Sequence, residues 1–195
     1  MTRTLVLATH NQHKVAELRR ILGAQLDGIE LIGYDGPEPV EDGDTFEANA
    51  LIKARAAHKH TGLPAIADDS GISVAALGGE PGIRSARYAG TRDDVDNYRL
   101  LLANLGDASD RRADFMCAAA FVDGEVEFAE LGVWPGTILH EPAGSGGFGY
   151  DPIFKPEGLE VASAELSADE KNAISHRSRA FGALMPRVRE RLREG

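Results

Sequence analysis

Pro64-Ala65-Ile66-Ala67-Asp68-Asp69-Ser70-Gly71 sets a short apolar run against two adjacent carboxylates, followed by Ser and Gly. The run reads as a buried strand that ends at the acids and delivers them to a loop, where a metal or a water can use them. A plain turn is the competing reading, because Asp, Ser and Gly all favour turns for local backbone reasons. Working outward settles the fold class. The stretch from Thr45 to His60 is rich in Ala, Leu, Lys and Arg, and Asp44-Thr45-Phe46-Glu47 before it resembles a capping box. Gly62 and Pro64 stop that helix and lead into the Ile66 strand, with Glu30 to Tyr34 as a strand ahead of it. At the start of the chain, Leu5 to Ala8 reads as a buried strand. A polar turn follows, then a helix with Val15, Leu18, Ile21 and Leu22 on one face and Gly23 at its end. The βαβ rhythm predicts an α/β domain with a mixed sheet flanked by helices.

Further along, Asp93 or Asp94 caps a third helix with Val95, Tyr98, Leu101, Leu102 and Leu105 inward and Gly106 at its end. Ala113 to Val122 and Glu125 to Trp134 form a hairpin around a two-residue Asp123-Gly124 turn, and Thr137 to His140 reads as another strand. Ser167-Ala168-Asp169-Glu170 is a capping box opening a short helix through Ile174. Phe181, Leu184, Met185, Val188 and Leu192 share one face of a last amphipathic helix that contains Pro186.

Composition narrows the function classes. A chain of 195 residues, 43% of them hydrophobic, buries a substantial core and is expected to form one domain, residues 1–195, with room for two lobes. No apolar stretch approaches the roughly 20 residues that span a bilayer, and the N-terminal apolar segment is too short for a signal peptide. A soluble, cytoplasmic protein is expected. The one cysteine, Cys117, lies in an apolar run and reads as a buried thiol, so disulfide and redox roles drop out. The net charge of −10 argues against a nucleic-acid partner. It leaves room for a small polyanion met by local cations and a divalent metal, and Lys14, Lys53, Lys171 and Arg177 all lie in motif-bearing segments.

Three such segments accompany the paired acids. Thr9-His10-Asn11-Gln12-His13-Lys14 joins a strand to a helix, which places backbone amides near a helix N-terminus suited to phosphate. Gly144 to Gly149 holds four glycines in six positions and presents Phe148, a ring able to stack on a base, before Tyr150-Asp151-Pro152. Lys171 with Ser175-His176-Arg177 offers several donors at helical spacing, suited to phosphate oxygens or a keto group.

Together these segments resemble the inosine triphosphate and xanthosine triphosphate pyrophosphatase family. The resemblance is carried by Thr9, Asn11 and Lys14, by Glu41 to Ala50, and by Ala67 to Gly71. Pro81-Gly82 with Ser85 to Tyr88, Gly146 to Pro152, and Ser175 to Arg177 complete it, in family order. It implies a Maf/ITPase-like fold, an elongated mixed sheet in two lobes with a central nucleotide cleft, and a homodimer. The implied activity is Mg²⁺-dependent hydrolysis of ITP, dITP and XTP to the monophosphate and pyrophosphate, a house-cleaning of the nucleotide pool. Residue by residue, the resemblance implies Asp69 as catalytic base and, with Glu41, as metal ligand, with Asp68 in support. Substrate contacts fall to Thr9, His10, Asn11, Gln12, His13, Lys14, Lys53, Ser70, Phe148, Gly149, Tyr150, Asp151, Lys171, His176 and Arg177. Lys14, Lys53 and Lys171 would neutralise the departing pyrophosphate. Phe148 would stack on the base while His176 and Arg177 meet its 6-keto oxygen. The chain departs from the family pattern in having His10 and His13 where glycines are usual, which at His10 raises the prospect of a positive φ. Two rivals stay open on sequence: a pyrophosphatase for modified pyrimidine triphosphates of the similar septum-inhibitor class, and a sensor that binds triphosphate without cleaving it.

Overall fold

Consecutive apolar residues in the first strand dictate how its surroundings are built. In the computed structural model, which describes residues 2–10 and 12–194 (side chains of Gln12, His13 and Glu194 excepted), β1 (Arg3–Leu7) turns Leu5 and Leu7 to one face and Val6 to the other. Successive strand residues point to opposite faces, so a strand apolar on both must be covered on both. Leu5 and Leu7 pack with α1 (Gln12–Leu22) and α5 (His176–Glu194) through Val15, Leu18, Leu22, Phe181, Leu184 and Val188. Val6 packs with Ala57 of α2 (Phe46–Thr61), together with Tyr34 and Ala65. The apolar face expected at the C-terminus is therefore the docked face of α5, and each fully buried Leu, Val or Phe there contributes about 1.5–3 kcal/mol.

The sheet has six strands in the order β2-β1-β3-β4-β5-β6. β2 (Ile29–Gly33) and β3 (Ala65–Val74) both run parallel to β1, the second pairing only at Val6 with Ala65 and Leu7 with Ile66. β4 (Arg112–Val122) and β5 (Glu127–Ile138) follow, and β5 pairs antiparallel with β6 (Phe154–Pro156). The mixed α/β architecture is as expected.

By its internal contacts the chain divides into two compact units. The first comprises Met1–Asp69, Cys117–Gly132 and Arg177–Gly195; the second comprises Ser70–Met116 and Val133–His176. The second unit has its own core, built on Ile72, Phe115, Trp134, Ile153 and Phe154 with Leu101 and Leu105 of α3 (Asp94–Leu105). The short helix α4 (Ala168–Ile174) opens with the expected capping box: Ser167 Oγ accepts from the Glu170 amide, and the Glu170 carboxylate accepts from the Ser167 amide.

Several local expectations are corrected. The strand at the paired acids does not end there; β3 runs on through Asp68, Asp69, Ser70 and Gly71 to Val74. The cap of α2 is Thr45, whose hydroxyl accepts from Ala48, which leaves Glu47 one place short of the reciprocal position. The β4–β5 turn spans four residues, closed by Asp123 Oδ1 accepting from the amides of Glu125 and Val126. Thr137 and Ile138 belong to β5, not to a separate strand. On α3 Val95 is exposed, and Asn97 turns inward instead, taking the Ala89 amide and donating to the Ala86 carbonyl. Among the described residues no non-glycine φ is positive, so His10 adopts ordinary backbone. No helix among them is long and apolar enough to cross a membrane.

Candidate active site

Alternation along β3 separates the two neighbouring acids. Ala65 packs on the α2 side and Ile66 on the α1 and α5 side, so Asp68 and Asp69 turn to those two faces in alternation. Asp68, 7% exposed, meets Arg177 of α5: Nη2 and Nε donate to its Oδ2 at 3.0 and 3.3 Å, and Lys14 Nζ lies 3.9 Å away. The other end of the guanidinium donates from Nη1 to Glu17 at 3.2 and 3.3 Å. Asp69 meets α2. Lys53 Nζ donates to its Oδ1 at 3.2 Å and Asn49 Nδ2 to its Oδ2 at 3.3 Å. Asn49 and Lys53 share a helix face at i, i+4, and Asn49 Oδ1 accepts from the Gly43 amide at 2.9 Å. Glu41, in the same segment before α2, brings Oε2 to 3.1 Å from Lys53 Nζ.

These surroundings set the two carboxyls apart electrostatically. Burial alone would lift Asp68, but Lys14, Arg177 and Lys53 outweigh it and hold the group well below the usual carboxylate range. At Asp69 burial wins: the carboxyl is pushed up, Glu41 adding to the lift and Lys53 opposing it. Burial would lower the Lys53 ammonium, yet Asp69, Asp68 and Glu41 raise it, so it stays cationic. The two neighbouring carboxyls are thus driven in opposite directions. Cys117 is buried, and burial pushes its thiol up, away from nucleophilic use.

A cavity of about 140 Å³ in the first unit is lined by Thr9, His10, Lys14, Tyr34, Glu38, Glu41, Lys53 and Asp68, with Ala8 and Pro39. Among the described residues no three His, Cys, Asp or Glu side chains converge as a metal site. Mg²⁺ does not need three, since it commonly takes one or two protein carboxylates and fills the rest of its shell with water and phosphate. Asp69 and Glu41 direct hard oxygens at one shared positive charge, the Lys53 ammonium, and so fit such an ion.

The second unit holds a different cluster. Asp151, 1% exposed, accepts from Ser163 Oγ at 2.8 Å, from the Phe148 amide at 2.8 Å and from Lys171 Nζ at 2.5 Å. Gly147 makes the turn possible: its φ is +71°, and a Cβ there would lie 2.1 Å from Asp151 Oδ2. The ring of Phe148 is 51% exposed, with Lys171 Nζ 4.5 Å from its centroid. The Gly149 amide donates to Asp94 at 2.7 Å, and Tyr150 OH donates to the Ser85 carbonyl at 2.8 Å. Burial pushes the Tyr150 phenol up. His176 stacks on Phe115, centroids 4.7 Å apart at 7°.

The predicted residues thus fall in two groups. Thr9, His10, Lys14, Glu41, Lys53, Asp68, Asp69 and Arg177 belong to the first unit; Ser70, Phe148, Gly149, Tyr150, Asp151, Lys171 and His176 belong to the second. Asn11 and the side chains of Gln12 and His13 lie outside the described residues. Two of these cations are already paired. Lys171 Nζ meets Asp151. The Arg177 guanidinium, 4% exposed, is forked onto Asp68 and Glu17. Sequence reasoning missed Asn49, Glu17, Asp94 and Ser163 as supporting groups. Only Asn49 carried a usable signal, its spacing of four from Lys53.

Known proteins share this arrangement of elements and motifs. The family model described as the Ham1 family matches residues 5–187. The chain belongs to the Ham1 family. A dITP/XTP pyrophosphatase of Leifsonia xyli is 55% identical over 98% of both chains, and one of Streptomyces coelicolor is 53% identical over 98% of this chain and all of that one. Among solved structures, a HAM1 protein from Coxiella burnetii superposes with a TM-score of 0.89 at 43% identity, covering 97% of this chain and all of that one. The dITP/XTP pyrophosphatase from Mycobacterium abscessus gives 0.77 at 46% identity, covering 95% and 99%.

Proposed function

We propose that this Ham1-family chain hydrolyses non-standard purine nucleoside triphosphates, ITP, dITP and XTP, between the α and β phosphates, releasing the monophosphate and pyrophosphate. Such an activity clears these nucleotides before they enter DNA or RNA. The observation that carries the reading is the opposed setting of Asp68 and Asp69 beside Lys14 and Lys53. A fixed anion, a carboxyl poised to take a proton and two cations are what hydrolysis of a polyphosphate requires.

Asp69 accepts the proton of the attacking water, its lifted pKa making it the better base of the pair. Asp69 and Glu41 would hold Mg²⁺, which would supply polarisation of the reacting phosphate and a lower pKa for the attacking water. Lys14, Lys53 and Thr9, with the backbone amides opening α1, take the phosphate oxygens. Asp68 steers Lys14 and is itself held by Arg177. Ser70 adds a hydroxyl next in line after Asp69. Phe148 stacks on the purine, with Lys171 and Asp151 fixing the turn that presents it. His176 donates to the 6-keto oxygen. An adenine amino group in that place sets donor against donor, which costs on the order of 1–3 kcal/mol for each unpaired group. The reading carries with it a cytoplasmic homodimer that acts on free nucleotides, and the net charge of −10 supports the exclusion of nucleic acid.

The test is incubation with Mg²⁺ and ITP, XTP, dITP, GTP, ATP or dTTP, with pyrophosphate and orthophosphate measured separately. Pyrophosphate from the three non-standard purines and little from the others is the expected result. Orthophosphate as first product overturns the cleavage position, preference for dTTP overturns the purine pocket, and binding without product favours a sensor.

A further inference from the structure

His10 lines the cavity of the first unit, and the proposed reaction leaves its contacts unexplained. It follows β1 in the loop that leads to Lys14, yet both ring nitrogens are directed at the segment that leads to Glu41. Nε2 donates to the Gly36 carbonyl at 2.7 Å, and Nδ1 lies 3.2 Å from Glu38 Oε1. The imidazole also lies flat on Tyr34, centroids 5.5 Å apart at 5°. Tyr34 in turn donates its hydroxyl to the Pro37 carbonyl at 2.9 Å and takes His60 of α2 edge-on. Gly36 seats the segment directly on this stack, since a Cβ there would lie 2.5 Å from Tyr34 Oη and 2.7 Å from the His60 ring. Residues 35–45 contain no helix or strand, so the ladder bonds that hold β2 and α2 do not reach Glu41. Among the described residues, the stack and two hydrogen bonds, from His10 Nε2 to Gly36 and from Tyr34 to Pro37, hold the first half of this segment.

We infer that His10 is a positioning residue for Glu41: a strut from the β1–α1 loop that fixes residues 36–38, so that Glu41 arrives beside Lys53 and Asp69. A glycine in its place would supply neither the stack nor the contacts. The kinetic arm of the test rests on the proposed pyrophosphatase activity, whereas the structural arm does not.

Hydrogen exchange at the amides of residues 35–43 is measured on the metal-free protein for wild type, His10→Gly and His10→Gln. Gln places an amide nitrogen where Nε2 stands. The expected result is exchange about tenfold faster in His10→Gly, largely restored by Gln, with α2 unchanged. In turnover, His10→Gly should raise the half-saturating Mg²⁺ about five- to tenfold. In a Glu41→Ala background the same substitution should add almost nothing, because groups that act as a unit are not additive. Unchanged exchange at 35–43 overturns the strut. A full additional loss in the Glu41→Ala background also overturns it, by showing that His10 acts on substrate directly. A wild-type protein that releases no pyrophosphate defeats the proposed function and leaves the exchange result to decide the strut alone.

Discussion

The two units assemble functional side chains by opposite means. In the first, charged and polar groups hold one another: Arg177, itself held by Glu17, and Lys14 flank Asp68, and Lys53 and Asn49 bind Asp69 with Glu41 on Lys53, drawn from α1, α2, β3, α5 and one loop. In the second, the exposed ring is apolar, and carboxylates hold backbone: buried Asp151 takes the Phe148 amide and exposed Asp94 the Gly149 amide. A cluster of mutually dependent charges concentrates catalytic electrostatics, and losing one member leaves its partners uncompensated. A ring on a braced turn contributes binding area, and losing it leaves the brace intact. Substitutions in the first unit should therefore strike kcat or the fold, and those in the second should strike KM and selectivity.

The sharpest break is Asp69→Asn, which keeps the shape and removes the base. A fall in kcat of about 10³–10⁴-fold is expected, with the circular dichroism spectrum unchanged. A fall of less than tenfold would transfer the role of base to another group and dissolve the distinction drawn between the two acids.

Next is Arg177→Met, which tests whether the cation serves the fold. Leaving Asp68 buried without its main partner should destabilise the metal-free protein by about 3–5 kcal/mol in urea. The pH dependence has a definite sign. In wild type the folded-state pKa of Asp68 is depressed, so its stabilisation is present above the unfolded value near 3.9 and is lost only as pH falls through the lower folded value. In the variant burial dominates and Asp68 is neutralised at a higher pH, so the gap between the two proteins should be widest at pH 7 and narrow towards pH 4. A gap that stays constant over that range would show the loss to be packing alone.

Phe148→Ala addresses the second unit. Removing a stacking ring costs about 1–3 kcal/mol per base, so KM for ITP should rise about 10–100-fold while kcat holds within about threefold. Equal falls in kcat and kcat/KM would mean that the ring acts only in the transition state and that the division between the units is false.

What the sequence disclosed follows the same line. Period-2 and 3.6-residue patterns and helix caps are local signals, so β1, α1, α2, α4 and α5 were legible, as was the α/β class. The paired acids were legible as a site but not as mid-strand residues, because β3 continues on neighbours that only the folded sheet provides. His176 and Arg177 looked like one donor group. Their side chains separate at the boundary of the two units, one to the aromatic cluster and one to Asp68, and adjacent positions on α5 give no hint of it. The pairing of Lys171 with Asp151, twenty residues away in sequence, had no local signal. Asp94 beside the glycine-rich loop is fifty-five residues from its partner and had no local signal.

Asp94 supplies the finest test of the contrast. Its carboxylate is exposed and makes one backbone contact to the turn, so water replaces it at little cost. A hydrogen bond of this kind contributes about 0.5–1.5 kcal/mol net, so Asp94→Ala should raise KM for ITP about two- to tenfold. Asp93, the actual N-cap, remains in place, so α3 and the thermal midpoint should hardly change. Combined with Phe148→Ala the substitution should add almost nothing, since a brace matters only while the ring it aims is present. Full additivity of the two would instead place Asp94 in contact with substrate on its own account, and the second unit, like the first, would then work through charge.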